Sequence, residues 1–315
     1  LPDPHSSGLH WLYEDGIGEA RAALVDDDRI VAARIELPDR LRVGTVARAR
    51  LTEFQVATLD TGEQVMLDRR PAGVTLGSAI TVEVTREAIP EPGRAKRARA
   101  RLSDATPATG PDLLARITAT GMPVRTVRAH EPDLLEQAGW SEVLDEALTG
   151  EIAFSGGALR MSPTPAMTLF DVDGDGPLDT LAERAAVAVA RAIRRHGIGG
   201  SIGIDSPSIT GKAARHAVAA AIDAHLPPPF ERTAVNGFGF LQIVRPRPRA
   251  SLPERLRDDL AAASTRAALR QIERVPATAP NRHRLSAPVR ACLDAHSHWI
   301  DELVRRTGRT PIFDA

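Results

Sequence analysis

The sequence predicts a mixed α/β protein with a parallel strand–helix–strand unit, a small closed β-barrel and a helical tail. Two stretches carry the first part, MTLFDVDGDG at 167–176 and IGGSIGID at 198–205. Each is an apolar run that ends in aspartate, the pattern of a buried strand with a carboxylate at its end. Between them Leu178, Leu181, Ala185, Val189 and Ile193 recur at helical spacing, and Gly197 with Gly199-Gly200 supplies a stop. Such crossovers are right-handed and usually join neighbouring parallel strands. Ligands of open α/β sheets bind beyond the carboxyl ends of the strands. Asp171 and Asp205 are therefore expected side by side, with Asp173 and Asp175 on the adjoining loop. Carboxylates converging without matching bases suit a hard divalent cation, Mg²⁺ or Mn²⁺.

The other elements follow in chain order. Residues 1–10 (LPDPHSSGLH) are polar and unpatterned and read as a flexible leader or tag. Residues 11–37 alternate as a hairpin, with Ala20, Ala22 and Leu24 before a polar turn at Asp26-Asp27-Asp28 and Ile30 to Leu37 after it. Five short strands are expected at Val43–Leu51, Gln55–Leu59, Gln64–Leu67, Ala79–Thr85 and Arg97–Leu102. Five strands in about 60 residues suggest a closed barrel of the OB type. Arg94 and Lys96 lead into the last strand. There Arg97, Arg99 and Arg101 share one face, while Ala98, Ala100 and Leu102 point inward. That face is either a solvated edge or an RNA-facing strip. After a linker at 104–111, helices Leu113–Thr120 and Asp133–Leu148 flank an extended Val124–Ala129. A helix over Thr210–His225 and a third strand over Val235–Val244 precede the run Arg245-Pro246-Arg247-Pro248-Arg249. The tail, 251–315, holds helices at Leu252–Glu273 and Pro288–Arg306 and reads as an appended small domain.

Composition bounds the function. At 315 residues the chain is long enough for two or three subdomains, and 43% apolar with 26% charged residues describes a soluble globular chain. Because the net charge is −1, any nucleic-acid surface must come from local clustering. Lys96 and Lys212 are the only lysines, and the single Cys292 excludes an internal disulfide and a Cys-rich zinc site. No run approaches the roughly 20 apolar residues of a membrane span. With no signal peptide visible, the cytoplasm is the default compartment.

Competing readings bear on the same residues. Asp171, Asp173, Asp175 and Gly176 satisfy the first half of an EF-hand loop, but its twelfth position is Ala182 and a strand rather than a helix precedes it. The nine histidines form no ligand pattern, and Ser162, Ser206 and Ser208 have no companion histidine nearby in sequence. Lys212 and Arg215 are either plain helix surface or phosphate contacts. Phe238 and Phe240 share a face and read as core rather than as a base-stacking platform.

The motifs Thr149-Gly150-Glu151-Ile152, Ser155-Gly156-Gly157, Phe170-Asp171-Val172-Asp173, Gly199-Gly200-Ser201-Ile202-Gly203-Ile204-Asp205 and Phe238-Gly239-Phe240-Leu241, in that order, resemble the catalytic region of the ribonuclease E/G endoribonucleases. Arg21-Ala22-Ala23-Leu24-Val25 and the barrel are similar to the family's ribonuclease H-like subdomain and its inserted OB-type RNA-binding domain. The tail, with Ala268-Leu269-Arg270-Gln271-Ile272-Glu273, is similar to its small C-terminal domain.

The resemblance implies a ribonuclease H-like subdomain at 11–38 plus 112–150, the barrel at 39–103, a DNase I-like α/β catalytic domain at 151–250 and a small helical domain at 251–315. It implies Mg²⁺-dependent cleavage of single-stranded RNA that leaves 5′-phosphate ends. Asp171 and Asp205 would be the metal pair, and Asp173 would stand where the family has Asn, as a catalytic residue and candidate third ligand. Lys96, Arg97, Arg99, Arg101, Lys212, Arg245 and Arg247 are the expected RNA contacts. The chain departs from the family at Pro165 and Ser208, where acidic residues stand, and at Thr58 and Met66, where RNA-contacting aromatics stand. The short 104–150 segment leaves no room for the family's 5′-monophosphate sensor. A single cysteine gives no zinc-linked tetramer, and a homodimer stays open. Set against cleavage are a catalytically weak RNA-binding protein of the same fold and a calcium-binding module.

Overall fold

Alternating buried and exposed side chains build the first sheet. In the computed structural model, which describes residues 8–91, 93 and 95–314, β1 (His10–Gly16), β2 (Glu19–Asp26) and β3 (Arg29–Glu36) form an antiparallel meander. Asp27 and Asp28 turn the chain between β2 and β3 at φ 45° and 60°, a region that aspartate enters more readily than most residues. His10, which the sequence pattern puts in a leader over residues 1–10, instead opens β1, and Trp11 is buried. Residues 1–7 lie outside the described residues.

β4 (Val46–Glu53), β5 (Val56–Leu59), β6 (Gln64–Leu67), β7 (Ala79–Arg86) and β8 (Ala98–Leu102) close a barrel in the order β4-β5-β6-β8-β7, with β7 returning to β4. All pairs are antiparallel except β6 with β8. Its interior is small and apolar, with Leu51, Leu59, Val65, Leu67, Val82, Ala98 and Ala100 buried together. These strands fall where the sequence pattern places them, except that Leu102, expected to point inward, is 47% exposed at the end of β8.

α1 (Leu113–Thr118) covers the first sheet with Leu113 and Ile117 against Trp11, Ala22, Leu24 and Ala32. β9 (Val124–Thr126) adds to that sheet parallel to β1, giving the order β3-β2-β1-β9. The single helix expected over 133–148 is two, α2 (Leu134–Gln137) and α3 (Trp140–Thr149), because Gly139 breaks it at φ 94°.

The largest sheet comes next. β10 (Glu151–Phe154) and β11 (Gly157–Pro163) form a hairpin that leads into β12 (Thr168–Gly174). α4 (Leu178–His196) ends at left-handed Gly197 and feeds β13 (Gly200–Asp205). α5 (Lys212–His225), β14 (Glu231–Arg232) and β15 (Phe240–Arg245) complete the order β10-β11-β12-β13-β15-β14, in which β12 and β13 alone run parallel. Ile152, Leu159, Phe170, Val172, Ile202, Ile204, Leu241 and Ile243 share a core with Leu181, Ala185, Val189 and Ile193 of α4 and with Val218 and Ile222 of α5. Burying each such branched side chain stabilises by about 1.5–3 kcal/mol.

α6 (Leu252–Asp258), α7 (Leu260–Glu273), β16 (Arg282–Arg284), α8 (Ala287–Ala295), α9 (Ser297–Thr307) and β17 (Ile312–Asp314) form the tail. Each expected tail helix is split: Asp259 caps a new start by accepting from Ala262 N at 2.9 Å, and α8 and α9 meet at His296. None of the described helices is long and apolar enough to cross a membrane.

Two compact units result. One comprises residues 8–40, 113–141 and 255–314, the other 41–112 and 142–254. From Arg255 on, the tail belongs to the same compact unit as the first sheet. Buried charge joins them. Arg21, 1% exposed, donates to Glu14 and Glu19 at 2.6 Å each. Glu19 also accepts from Arg266 at 2.7 Å, and Glu14 from Arg270 at 2.9 Å and Arg274 at 2.5 Å. Asp133 accepts from Arg270 at 2.6 Å. Beside this network Ile17, Leu269, Ile272, Trp299 and Leu303 form an apolar cluster, and the Trp299 ring lies so near Gly18 that a Cβ there would come within 2.7 Å.

Burial pushes the Glu14 carboxyl up, but Arg21, Arg270 and Arg274 outweigh it and hold the group below the usual carboxylate range. Asp133 is lowered in the same way, burial being opposed by the Arg270 hydrogen bond, the Glu136 amide and the charges of Arg270 and Arg274. Their contribution to stability is full above the ordinary carboxylate values near pH 4. It is lost as pH falls through the lowered folded values. Glu14→Gln leaves three guanidinium groups short of a partner and should cost about 3–5 kcal/mol. Urea titrations of parent and variant between pH 2 and 6 check both points. The parent should weaken steeply on the acid side and the variant much less.

Candidate active site

The six-stranded sheet has one covered face and one open face, and strand alternation sorts the chemistry onto the open one. Across β10, β11, β12, β13 and β15 the consecutive register partners are Glu151, Arg160, Asp171, Asp205 and Phe240. The residues that alternate with them, Ile152, Leu159, Phe170, Ile204 and Leu241, are all buried in the core beneath α4 and α5. Asp171 and Asp205 are thus direct neighbours across the parallel pair. Asp171 is half-buried and Asp205, the last residue of β13, is exposed.

Asp173 is placed differently from the loop position that the sequence suggests. It lies within β12, opposite Ala158 of β11. Two residues of strand carry it about 7 Å beyond Asp171, where β13 has already ended. Among the described residues no group of three or more His, Cys, Asp or Glu is close enough together to hold a metal ion. The site therefore holds a carboxylate pair, with Asp173 set off as a separate charge and Asp175 past the strand end. Holding Asp171 and Asp173 in an extended strand is also at odds with an EF-hand loop, which must curl around its ion.

Arg160 is the residue that sequence reasoning missed. It donates to Glu151 at 3.0 Å, and that hydrogen bond first, then the negative charges of Glu151, Asp173 and Asp171, raises its pKa. The alternation Leu159, Arg160, Met161 after Gly156-Gly157 places Arg160 on a polar face. Only the hairpin register puts it beside Asp171. Gly203 keeps the row tight: a Cβ there would lie 2.8 Å from the Phe240 ring and 2.9 Å from the Met167 sulfur.

The strand expected from Val235 starts only at Phe240. Asn236 closes a turn before it, its Oδ1 accepting from Phe238 N at 2.9 Å and Phe240 N at 3.0 Å. Phe238, read from the pattern as core, is instead 81% exposed, while Phe240 is half-buried.

Four of the expected RNA contacts, Lys96, Arg99, Arg101 and Arg247, carry acidic partners. Lys96 is ion-paired with Glu91. Arg97 lies just before β8, its carbonyl accepting from Arg86 at 2.7 Å. Arg99 approaches Asp68 at 3.7 Å, and Arg101 makes a two-pronged pair with its cross-strand partner Glu83 at 3.0 and 2.8 Å. Arg247 is paired with Glu254 and lies 4.0 Å from Glu91. Burial lowers the pKa of Arg245, and Lys212 is exposed at the first residue of α5. Arg94 lies outside the described residues. The run at 245–249 meets the barrel, with Glu87 N donating to Pro248 O at 2.9 Å and Arg249 lying 3.1 Å from Glu87. Arg86, absent from the sequence-based set, is the point of convergence: its pKa is lowered by burial and then by the charges of Arg99 and Arg247.

No protein-family model matches the chain, and no curated protein matches it.

Asp171 and Asp205 are the two carboxylates of the open row that a divalent cation would meet, and Arg160 adds a positive charge beside Asp171. Arg160→Ala removes a like charge beside that cation and should tighten Mn²⁺ binding a few-fold, whereas Asp171→Asn should abolish it. Calorimetric titration of the resting protein with Mn²⁺ checks both. Equal affinity in parent and both variants would remove the ion from this face.

Proposed function

We propose that the chain is a Mg²⁺-dependent endonuclease for single-stranded RNA, of the ribonuclease E/G type, that leaves 5′-phosphate ends. The observation that carries the reading is the pairing of Asp171 with Asp205 on the open face of the sheet. Barrel order β4-β5-β6-β8-β7, with β6 and β8 parallel, supports an OB-type RNA-binding domain. A three-stranded meander joined by a fourth strand parallel to the first supports the ribonuclease H-like reading. The DNase I-like assignment of 151–250 follows from the sequence resemblance.

Two carboxylates fit Mg²⁺, which usually takes one or two from the protein and fills its other positions with water and substrate phosphate. Bound there, the cation would polarise a phosphate oxygen and lower the pKa of a bound water. The chain's own residues do the positioning. Asp171 and Asp205, fixed by the strand register, hold the charge at one point of the row. Arg160 offers its guanidinium to a non-bridging oxygen of the scissile phosphate, as such planar donors do. Glu151 orients Arg160. Asp173, two residues further along β12, adds a separate negative charge to the open face.

A second reading, an RNA-binding protein with weak chemistry, is favoured because, among the described residues, no third His, Cys, Asp or Glu joins the pair, and because Pro165 and Ser208 stand where the family is acidic. Cleavage distinguishes them. Asp171→Asn and Asp205→Asn should each lower the rate on a single-stranded oligonucleotide in Mg²⁺ by at least about 100-fold, with the circular dichroism spectrum unchanged. Parent protein that binds RNA without cutting it would favour the second reading.

The barrel strip yields a separate test. Asp68→Asn with Glu83→Gln releases Arg99 and Arg101 from their acidic partners. If both then reach phosphates, the slope of log affinity against log salt should steepen by about 1.4, at about 0.7 per phosphate on a single strand. An unchanged slope would make the strip ordinary surface.

A further inference from the structure

We propose that Phe238 is a stacking platform for a nucleobase next to the scissile phosphate, an inference that rests on the RNA reading of the Asp171–Asp205 face. At 81%, Phe238 is more exposed than any other large apolar side chain among the described residues. The ring is out of the core, yet its backbone is tightly held. Gly239 N donates to Asn236 O at 3.2 Å, Asn236 N donates to Phe240 O at 3.0 Å, and the Asn236 side chain accepts from both phenylalanine amides. Gly239 has φ 87°, and a Cβ there would lie 2.4 Å from Ser206 O and 2.6 Å from Pro207 O. The turn is therefore pressed against the two residues that follow Asp205. Phe240, which ends the turn, is the register partner of Asp205.

An ordered phenyl ring in water contributes little to folding and is preorganised for a flat partner. The turn adds no second apolar side chain, since its other members are Asn236, Gly237 and Gly239. A protein partner would need a far larger contiguous patch than one ring. A base needs only a π-face, and its backbone would run toward the carboxylate pair and Lys212, which follows the 206–211 loop at the start of α5. Sequence-tolerant stacking also fits a barrel that lacks the family's aromatics at Thr58 and Met66.

The test uses the full chain carrying Asp171→Asn, so that a single-stranded oligoribonucleotide stays intact in Mg²⁺. Phe238→Ala in that background should weaken binding by about 5- to 150-fold, the range of one base–aromatic stack, and Phe238→Trp should restore it. The urea midpoint should not move, which sets the loss apart from unfolding. An abasic position walked along the oligonucleotide should reproduce the loss at one nucleotide only, and at that nucleotide Phe238→Ala should add nothing further. Binding by Phe238→Ala within twofold of its background, or losses that add at every abasic position, would overturn the platform. Should the parent still cleave RNA in that case, the functional reading stands without it. A parent chain that neither binds nor cleaves single-stranded RNA overturns both.

Discussion

The parallel register of β12 against β13 is the constraint on which the candidate site depends. Strand side chains alternate with a period of two, so a one-residue slip of β13 would turn Asp205 into the core and Ile204 out to water. Phe170, Ile204 and Leu241, packed under α4 and α5, therefore do more than fill space. They enforce the meeting of Asp171 and Asp205. A site built this way needs no loop to hold its two carboxylates. The third, Asp173, falls outside the pair because β12 outruns β13 at its end.

Charge plays opposite parts elsewhere. Around Glu14 and Glu19, four arginines are taken out of water and satisfied by carboxylates, which ties the first sheet to the tail with directional bonds. Such a network adds less net stability than apolar packing of equal volume, yet it heavily penalises any arrangement that leaves one member unpaired. Around the barrel Lys96, Arg99 and Arg101 are half-exposed and offset by Glu91, Asp68 and Glu83. The near-neutral charge of the chain is thus also local, and a phosphate backbone must compete with these acids for the strip.

The local patterns in the sequence determined the strands of the barrel, the crossover β12–α4–β13 and the side-by-side placement of Asp171 and Asp205. Each rests on alternation, helical spacing or the handedness of a short connection, all of which act between near neighbours in the chain. Tertiary structure decided the rest. Arg160 stands beside Asp171 only through the hairpin register, and Arg86 gathers Arg99 and Arg247 only where the barrel meets the 245–249 run. Phe238 looked like core because its spacing from Phe240 fits a strand, until the Asn236 side chain captured two backbone amides and turned the chain. No sequence periodicity links Glu14 to Arg270 of the tail. Contacts between residues so far apart depend on packing, and packing is written in no single stretch of the chain.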